Sequence, residues 1–208
     1  MKRKIAILTK SSRHGQYCVV GYDIDSCELI RLVSNDVESQ GSITQDQLKY
    51  FNGETASILD VVEVKFKANI VSDTHPEDIL IDENVKWKYL EKFNFKNLPK
   101  SLYCTDEFIY ADTNPEISLS IAKQIGKSIL IVSVENLCVY QNEYGKTKAD
   151  FVFNNNKYIQ FSVTDPDYYG IGVQKYKTAI LIISLPDDEW SYKNDRFFKF
   201  VAKIYPSV

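Results

Sequence analysis

The sequence predicts an all-β protein, mainly strands with one or two short helices, folded as two small barrels. Three observations carry this reading. Aromatic side chains are abundant, with Tyr 14 and Phe 11 against a single Met, and bulky stiff side chains suit pleated sheets. Short apolar runs recur along the chain and are separated by polar turn chemistry, which favours meandering antiparallel barrels over alternating strand–helix units. The later part of the chain holds five such runs, the strand number of one small barrel.

The elements follow in order. Lys4–Thr9, Tyr17–Tyr22 and Leu29–Val33 are apolar runs of strand length, the last two joined by the polar turn Asp23–Glu28. Val61–Ala68 alternates apolar and charged residues, the mark of a sheet with one wet face. Ile129–Val134, Ala149–Phe153, Tyr158–Val163, Ile180–Leu185 and Phe197–Ile204 form the second set. Asn154–Lys157 reads as a hairpin turn, because Asn tolerates positive φ. A helix is expected from Asn114-Pro115-Glu116 to about Gly126, with a polar cap and an early Pro at its start. Glu83–Phe95 fits neither period, and Pro99–Asp112 reads as extended or irregular. No Gly/Ser-rich linker separates the halves, so two packed halves are expected.

Composition excludes several classes of function. Lys+Arg 25 against Asp+Glu 28 leaves a net charge of -3, whereas a generic coater of polyanions is basic. A nucleic-acid role therefore needs a local patch. No run of about 18 apolar residues occurs, so no membrane helix is expected, and the basic start Met1–Ile5 lacks the apolar core of a signal peptide. Cys18, Cys27, Cys104 and Cys138 form no C-x-x-C pair; they read as reduced thiols, and a cytoplasmic location is expected. At this length a core forms without disulfides or metal, and no cofactor or metal is expected.

The catalytic motifs that short patterns reveal are absent. There is no G-x-S-x-G elbow, Walker loop, G-x-G-x-x-G or H-E-x-x-H. His14 and His75 have no partner at metal-ligand spacing; His14 reads as a solvated turn residue, with phosphate contact as the alternative. Gly170-Ile171-Gly172 reads as a loop, and Asp187-Asp188-Glu189 as a solvated turn.

Three clusters carry the remaining chemistry. Thr9-Lys10-Ser11-Ser12-Arg13-His14-Gly15 follows the first strand, and its hydroxyls, cations and turn amides suit a phosphate or a plain polar turn. Arg31 lies inside an apolar strand, where period two places it on the face opposite Ile30 and Leu32. There it either meets phosphate or a base, or pairs with a carboxylate such as Glu28 or Asp60. Thr164-Asp165-Pro166 ends a strand, with Asp165 an Asx-turn residue or a holder of a ligand hydroxyl or amine, and Tyr168 and Tyr169 beside it.

Read together, these motifs resemble one bacterial family. "KIAILTKSSRHGQYCVVGYDIDSCELIRLVS", "ILDVVEV", "DENVKW", "PKSLYC", "FSVTDP", "LIISL" and "FFKFVAKIY" fall in its order, from about Lys4 to Tyr205. The chain is similar to the dual OB-containing domain family. Leu29 stands where the family has an aromatic before Ile-Arg, and Tyr103 where it has Trp; weaker binding is implied if those aromatics stack bases. The resemblance implies two OB-like small barrels packed together. The first would span 1–112 with an irregular extension, and 113–208 would hold a short helix plus the second. It also implies a nucleic-acid or nucleotide-sensing module associated with bacterial conflict and RNA-repair systems.

The expectation is therefore a non-catalytic module that binds single-stranded nucleic acid or a nucleotide. Thr9, Lys10, Ser11, Arg13, Arg31, Thr164 and Asp165 are the candidate binding residues, with Tyr17 and Tyr22 as nearby rings. No catalytic residue is expected. The alternatives are a scaffold for a protein partner, or a nuclease or nucleotide hydrolase using Asp60 and Asp165.

Overall fold

The computed structural model describes residues 1–13, 15–35 and 41–207; His14 lies outside the described residues. The chain divides into two compact units, Met1–Ser72 with Pro76–Leu102, and Asp73–His75 with Tyr103–Val208. The division falls before the expected 112/113. Tyr103 already forms a parallel bridge to Ile131, and the Cys104 amide donates to the Ile131 carbonyl at 2.7 Å.

The first unit holds β1 (Lys2–Ile7), β2 (Ser11–Arg13), β3 (Gln16–Asp23), β4 (Glu28–Val33), β5 (Asp60–Asn69), β6 (Asp78–Ile81) and β7 (Lys88–Lys92). β1 pairs with β3, β3 with β4, β4 with β6, β6 with β5, and β5 returns to β1. The circuit closes a five-stranded barrel, antiparallel except for the parallel pair β4–β6. Closure removes the open sheet edges that would otherwise template aggregation. Ile5, Ile7, Val19, Ile30, Leu32, Val62 and Val64 fill its interior, the period-two faces of the runs read from sequence, together with Ile79 and Ile81 on β6, a strand the sequence reading did not give. Ile43, Leu48, Tyr50 and Ala56, from the segment between β4 and β5, and Trp87 join the same core.

Gly21 on β3 marks a close approach to β1. A Cβ there would sit 2.2 Å from Ile5 Cγ2, so a side chain overpacks the barrel. Gly21→Ala is expected to lower stability by about 1–3 kcal/mol, read as a lower urea midpoint at unchanged m-value. An unchanged midpoint would show that β1 and β3 separate freely.

The second unit holds β8 (Glu116–Ile117), α1 (Leu119–Ile125), β9 (Ile129–Gln141), β10 (Thr147–Phe153), β11 (Asn156–Ser162), β12 (Gln174–Ser184), α2 (Glu189–Asn194), β13 (Phe197–Phe198) and β14 (Phe200–Pro206). Its sheet runs β11-β10-β9-β12-β14. A parallel bridge between Val163 and Val201 links its two outer strands. The path is the one taken in the first unit, again with a parallel contact where the circuit meets. Phe151, Tyr158 and Phe161 centre the core, with Phe151 stacked on Tyr158 at 5.2 Å. The Tyr158 hydroxyl accepts from the Ile109 amide at 3.1 Å, which anchors the irregular segment before α1.

Several local expectations change. The helix begins at Leu119 rather than near Asn114, because the Ser118 hydroxyl caps it by accepting from the Ile121 amide. Glu116–Ile117 pairs with β13 instead, while Gly126 ends the helix in the left-handed region, as read. Asp187–Glu189 is not simply a solvated turn: Asp188 caps α2, accepting from the Ser191 amide at 2.7 Å. Asn154 and Asn155 have φ of 47° and 63° and turn β10 into β11, as expected. The expected strand Phe197–Ile204 is broken at Lys199. Its buried ammonium donates to Asp112 at 2.8 Å, and its amide to the Pro115 carbonyl. Burial and Lys199 act against each other on Asp112, and the lysine prevails, holding that carboxyl below its usual range.

Candidate nucleic-acid interface

The segment Thr9–Gly15 is not a plain turn. Ser11–Arg13 forms β2, which folds back on the start of β3 with Ser11 opposite Cys18, Ser12 opposite Tyr17 and Arg13 opposite Gln16. Gly15, at φ 74°, lies in the connection, where the missing Cβ removes the left-handed penalty. Thr9 is fully buried and its hydroxyl accepts from the Val20 amide at 3.0 Å. Ser11 is buried, its hydroxyl donating to the Cys18 carbonyl at 3.4 Å. Both hydroxyls therefore shape the hairpin.

Lys10 and Arg13 are half-buried. The Lys10 ammonium donates to the Ala56 carbonyl at 2.6 Å and lies 5.3 Å from the centre of the half-buried Tyr17 ring. One strand-end hairpin thus carries two cations and an aromatic ring. Tyr22 is buried inside the unit and tilted against Phe93. A hydrogen bond with Cys27, burial and neighbouring charge push its hydroxyl up to about 12.

Arg31 is 1% exposed. The parallel register sets it opposite Asp78, and its Nε and Nη2 donate to the two carboxylate oxygens at 2.7 Å each. The ion-pair alternative holds in kind, but the partner is Asp78, not Glu28 or Asp60. Asp60 is taken elsewhere: it accepts from the Tyr50 hydroxyl at 2.7 Å, the Ser57 amide at 2.8 Å and Lys92 at 2.5 Å. Burial opposes the charge on Asp60, yet Lys92 and these donors hold its carboxyl below the usual range.

Thr164 and Asp165 lie in the second unit, after β11. The Thr164 amide donates to the Val201 carbonyl at 2.9 Å. Asp165 is the Asx-turn residue, capping the single 3₁₀ turn Pro166–Tyr168 by accepting from the Asp167 amide. It is also buried and accepts from the Ile204 amide at 3.0 Å and the Lys203 ammonium at 3.2 Å. Burial pushes its carboxyl up, against the pull of Lys203.

The structure therefore brings Thr9, Lys10, Ser11 and Arg13 onto one hairpin, with Arg31 buried on a strand of the same barrel and Thr164 and Asp165 in the other unit. Sequence reasoning missed Asp78 and Lys203 as partners. Lys203 carries the same signal as Arg31, a lone cation inside an apolar strand, which points to a buried pair. Among the described residues, no three His, Cys, Asp or Glu side chains converge as a metal site. Among the described residues no helix is long and apolar enough to cross a membrane.

Two small barrels on one Greek-key path, each with a parallel contact between the third and fifth strands of its circuit, define the class of oligonucleotide- and oligosaccharide-binding barrels. The family model of the dual OB-containing domain matches residues 3–204, and the chain belongs to that family. Neither a curated protein nor a solved structure matches it. OB domains commonly bind nucleic acids, so membership indicates a nucleic-acid-binding or related module.

Proposed function

We propose that the protein is a non-catalytic module that binds single-stranded nucleic acid or a nucleotide, with the first barrel's β2–β3 hairpin as the contact. The observation that carries this reading is the grouping of Lys10 and Arg13, on the connection between the first two strands of the barrel circuit, with Tyr17 at the start of the second. OB barrels use that connection, together with the face of their second and third strands, to hold oligonucleotides. Lys10 and Arg13 contact phosphates, and Tyr17 offers an aromatic surface. Thr9, Ser11, Arg31, Thr164 and Asp165 hold the two folds in shape. The family's association with conflict and RNA-repair systems supplies the biological setting of the proposal.

The test is fluorescence anisotropy with labelled oligo(dT) and oligo(U) across a salt series. Lys10→Ala with Arg13→Ala is expected to flatten the slope of log K against log salt by about 1.4, roughly 0.7 for each single-strand phosphate that no longer meets a cation. Wild-type binding with an unchanged slope in the double variant would remove the hairpin from the interface. Binding to protein but to no oligonucleotide would favour the scaffold alternative.

A further inference from the structure

A second surface with the chemistry of a phosphate-binding groove lies on the outside of the second unit. Asn136 interrupts β9 with φ 52°, in the left-handed region that Asn enters more readily than most residues. Against β10 the register shifts between Asp150↔Cys138 and Val152↔Glu135, a β-bulge. Against β12, Leu137 pairs with Tyr176 and Glu135 with Thr178, while Asn136 and Lys177 between them form no ladder pair. The interruption leaves a groove of about 470 Å³ lined by Asn136, Leu137 and Cys138 on β9 and by Lys175, Tyr176 and Lys177 on β12. That volume lies within the ~300–1,000 Å³ of small-ligand sites.

The charges around the groove favour an anion. Lys175, Lys177 and Asn136 are exposed, and Cys138 is half-buried. Among the described residues neither lysine has an ion-pair partner, whereas Lys199 and Lys203 of the same unit are buried in ion pairs. Lys148 on the neighbouring strand stands opposite Tyr140, its ammonium 2.8 Å from the Ser162 hydroxyl. Two carboxylates stand near in register. Asp150, opposite Cys138, accepts from the Tyr140 hydroxyl at 3.0 Å and the Gln160 amide at 2.7 Å. Glu135 is exposed opposite Thr178. The ring at the groove, Tyr176, is half-buried and hydrogen-bonded to the Tyr168 hydroxyl at 3.2 Å.

The geometry points to a second nucleic-acid contact, in which the β9–β12 groove holds the phosphodiester backbone of a single strand. This inference rests on the nucleic-acid reading above and extends it to the other barrel. Lys175 and Lys177 supply point charges to successive phosphates, and the Asn136 amide supplies a neutral donor. Such contacts position a strand without reading its bases.

The intact 208-residue chain tests this with labelled oligo(dT) and oligo(U). Lys175→Gln with Lys177→Gln, both at exposed positions, is expected to flatten the salt slope by about 1.4. Lys123→Gln with Lys193→Gln makes the same change of net charge on α1 and α2, and is expected to leave the slope unchanged. Mass-spectrometric thiol footprinting gives an independent readout: bound oligonucleotide shields Cys138 from a maleimide, while the exposed Cys27 stays reactive. Wild-type protein that binds neither oligonucleotide overturns the nucleic-acid reading and the groove together. If wild-type binds and the Lys10/Arg13 variant weakens, but the groove variant behaves like the helix control and Cys138 gains no protection, the groove alone is overturned.

Discussion

Arg31→Ala is expected to lower stability by about 3–5 kcal/mol, the cost of leaving one member of a buried ion pair without its partner. The reason is geometric. Arg31 and Asp78 are 1% exposed each, they face one another across the parallel β4–β6 pair, and both carboxylate oxygens receive a guanidinium donor. Removing the arginine leaves Asp78 buried and charged where β6 enters the barrel circuit. Asp78→Ala should cost a similar amount. The double replacement Arg31→Met with Asp78→Leu should recover most of it, because no charge is left stranded. Urea unfolding followed by tryptophan fluorescence reads all three. A loss below about 1 kcal/mol for Arg31→Ala would be the value of an exposed pair, and would mean that water reaches the site.

The second large effect is expected at Asp165. Its carboxylate joins the 3₁₀ turn after β11 to β14, accepting from the Ile204 amide, the Asp167 amide and Lys203. Asp165→Ala strands a buried amide, at about 1–3 kcal/mol, and weakens the hold on the Lys203 ammonium, which keeps Asp167. A total of about 3 kcal/mol or more is expected. Backbone hydrogen exchange localises the effect: the Ile204 and Thr164 amides should lose protection first, since both belong to the segment that brings β11 and β14 together. Uniform loss of protection over β9–β12 would instead assign Asp165 to the stability of the whole sheet. Lys203→Met is expected to be milder, because it leaves the two backbone donors in place.

These two sites show what a single sequence can and cannot convey. Alternation placed Arg31 on the face opposite Ile30 and Leu32, but its partner lies 47 residues away on a short strand, Asp78–Ile81. Parallel pairing is non-local, and nothing in the neighbourhood of Arg31 announces it. Asp165 was legible as an Asx-turn residue because that bond is local, whereas its bond to the Ile204 amide is not. The Asn154–Asn155 turn and the Gly126 cap were legible for the same local reason: each depends on a residue that tolerates positive φ. The helix start was not, since Asn114-Pro115 and Ser118 both offer caps, and pairing of Glu116–Ile117 with β13 decides between them. α2 was not legible, since six residues are too few for a helical period to stand out. At the hairpin, the residue types that suggested a phosphate contact proved to be mixed. The hydroxyls of Thr9 and Ser11 turn inward to close β2 on β3, and the cations Lys10 and Arg13 stay partly open.

A chain with a net charge of -3 must concentrate its cations locally to hold a single strand. Titration of the 208-residue chain into labelled oligo(U) and oligo(dT), from low to physiological salt, reads this. Saturable binding at low salt that weakens linearly in log K against log salt is the predicted result. Absence of saturable binding at the lowest salt, or an affinity indifferent to salt, would contradict it.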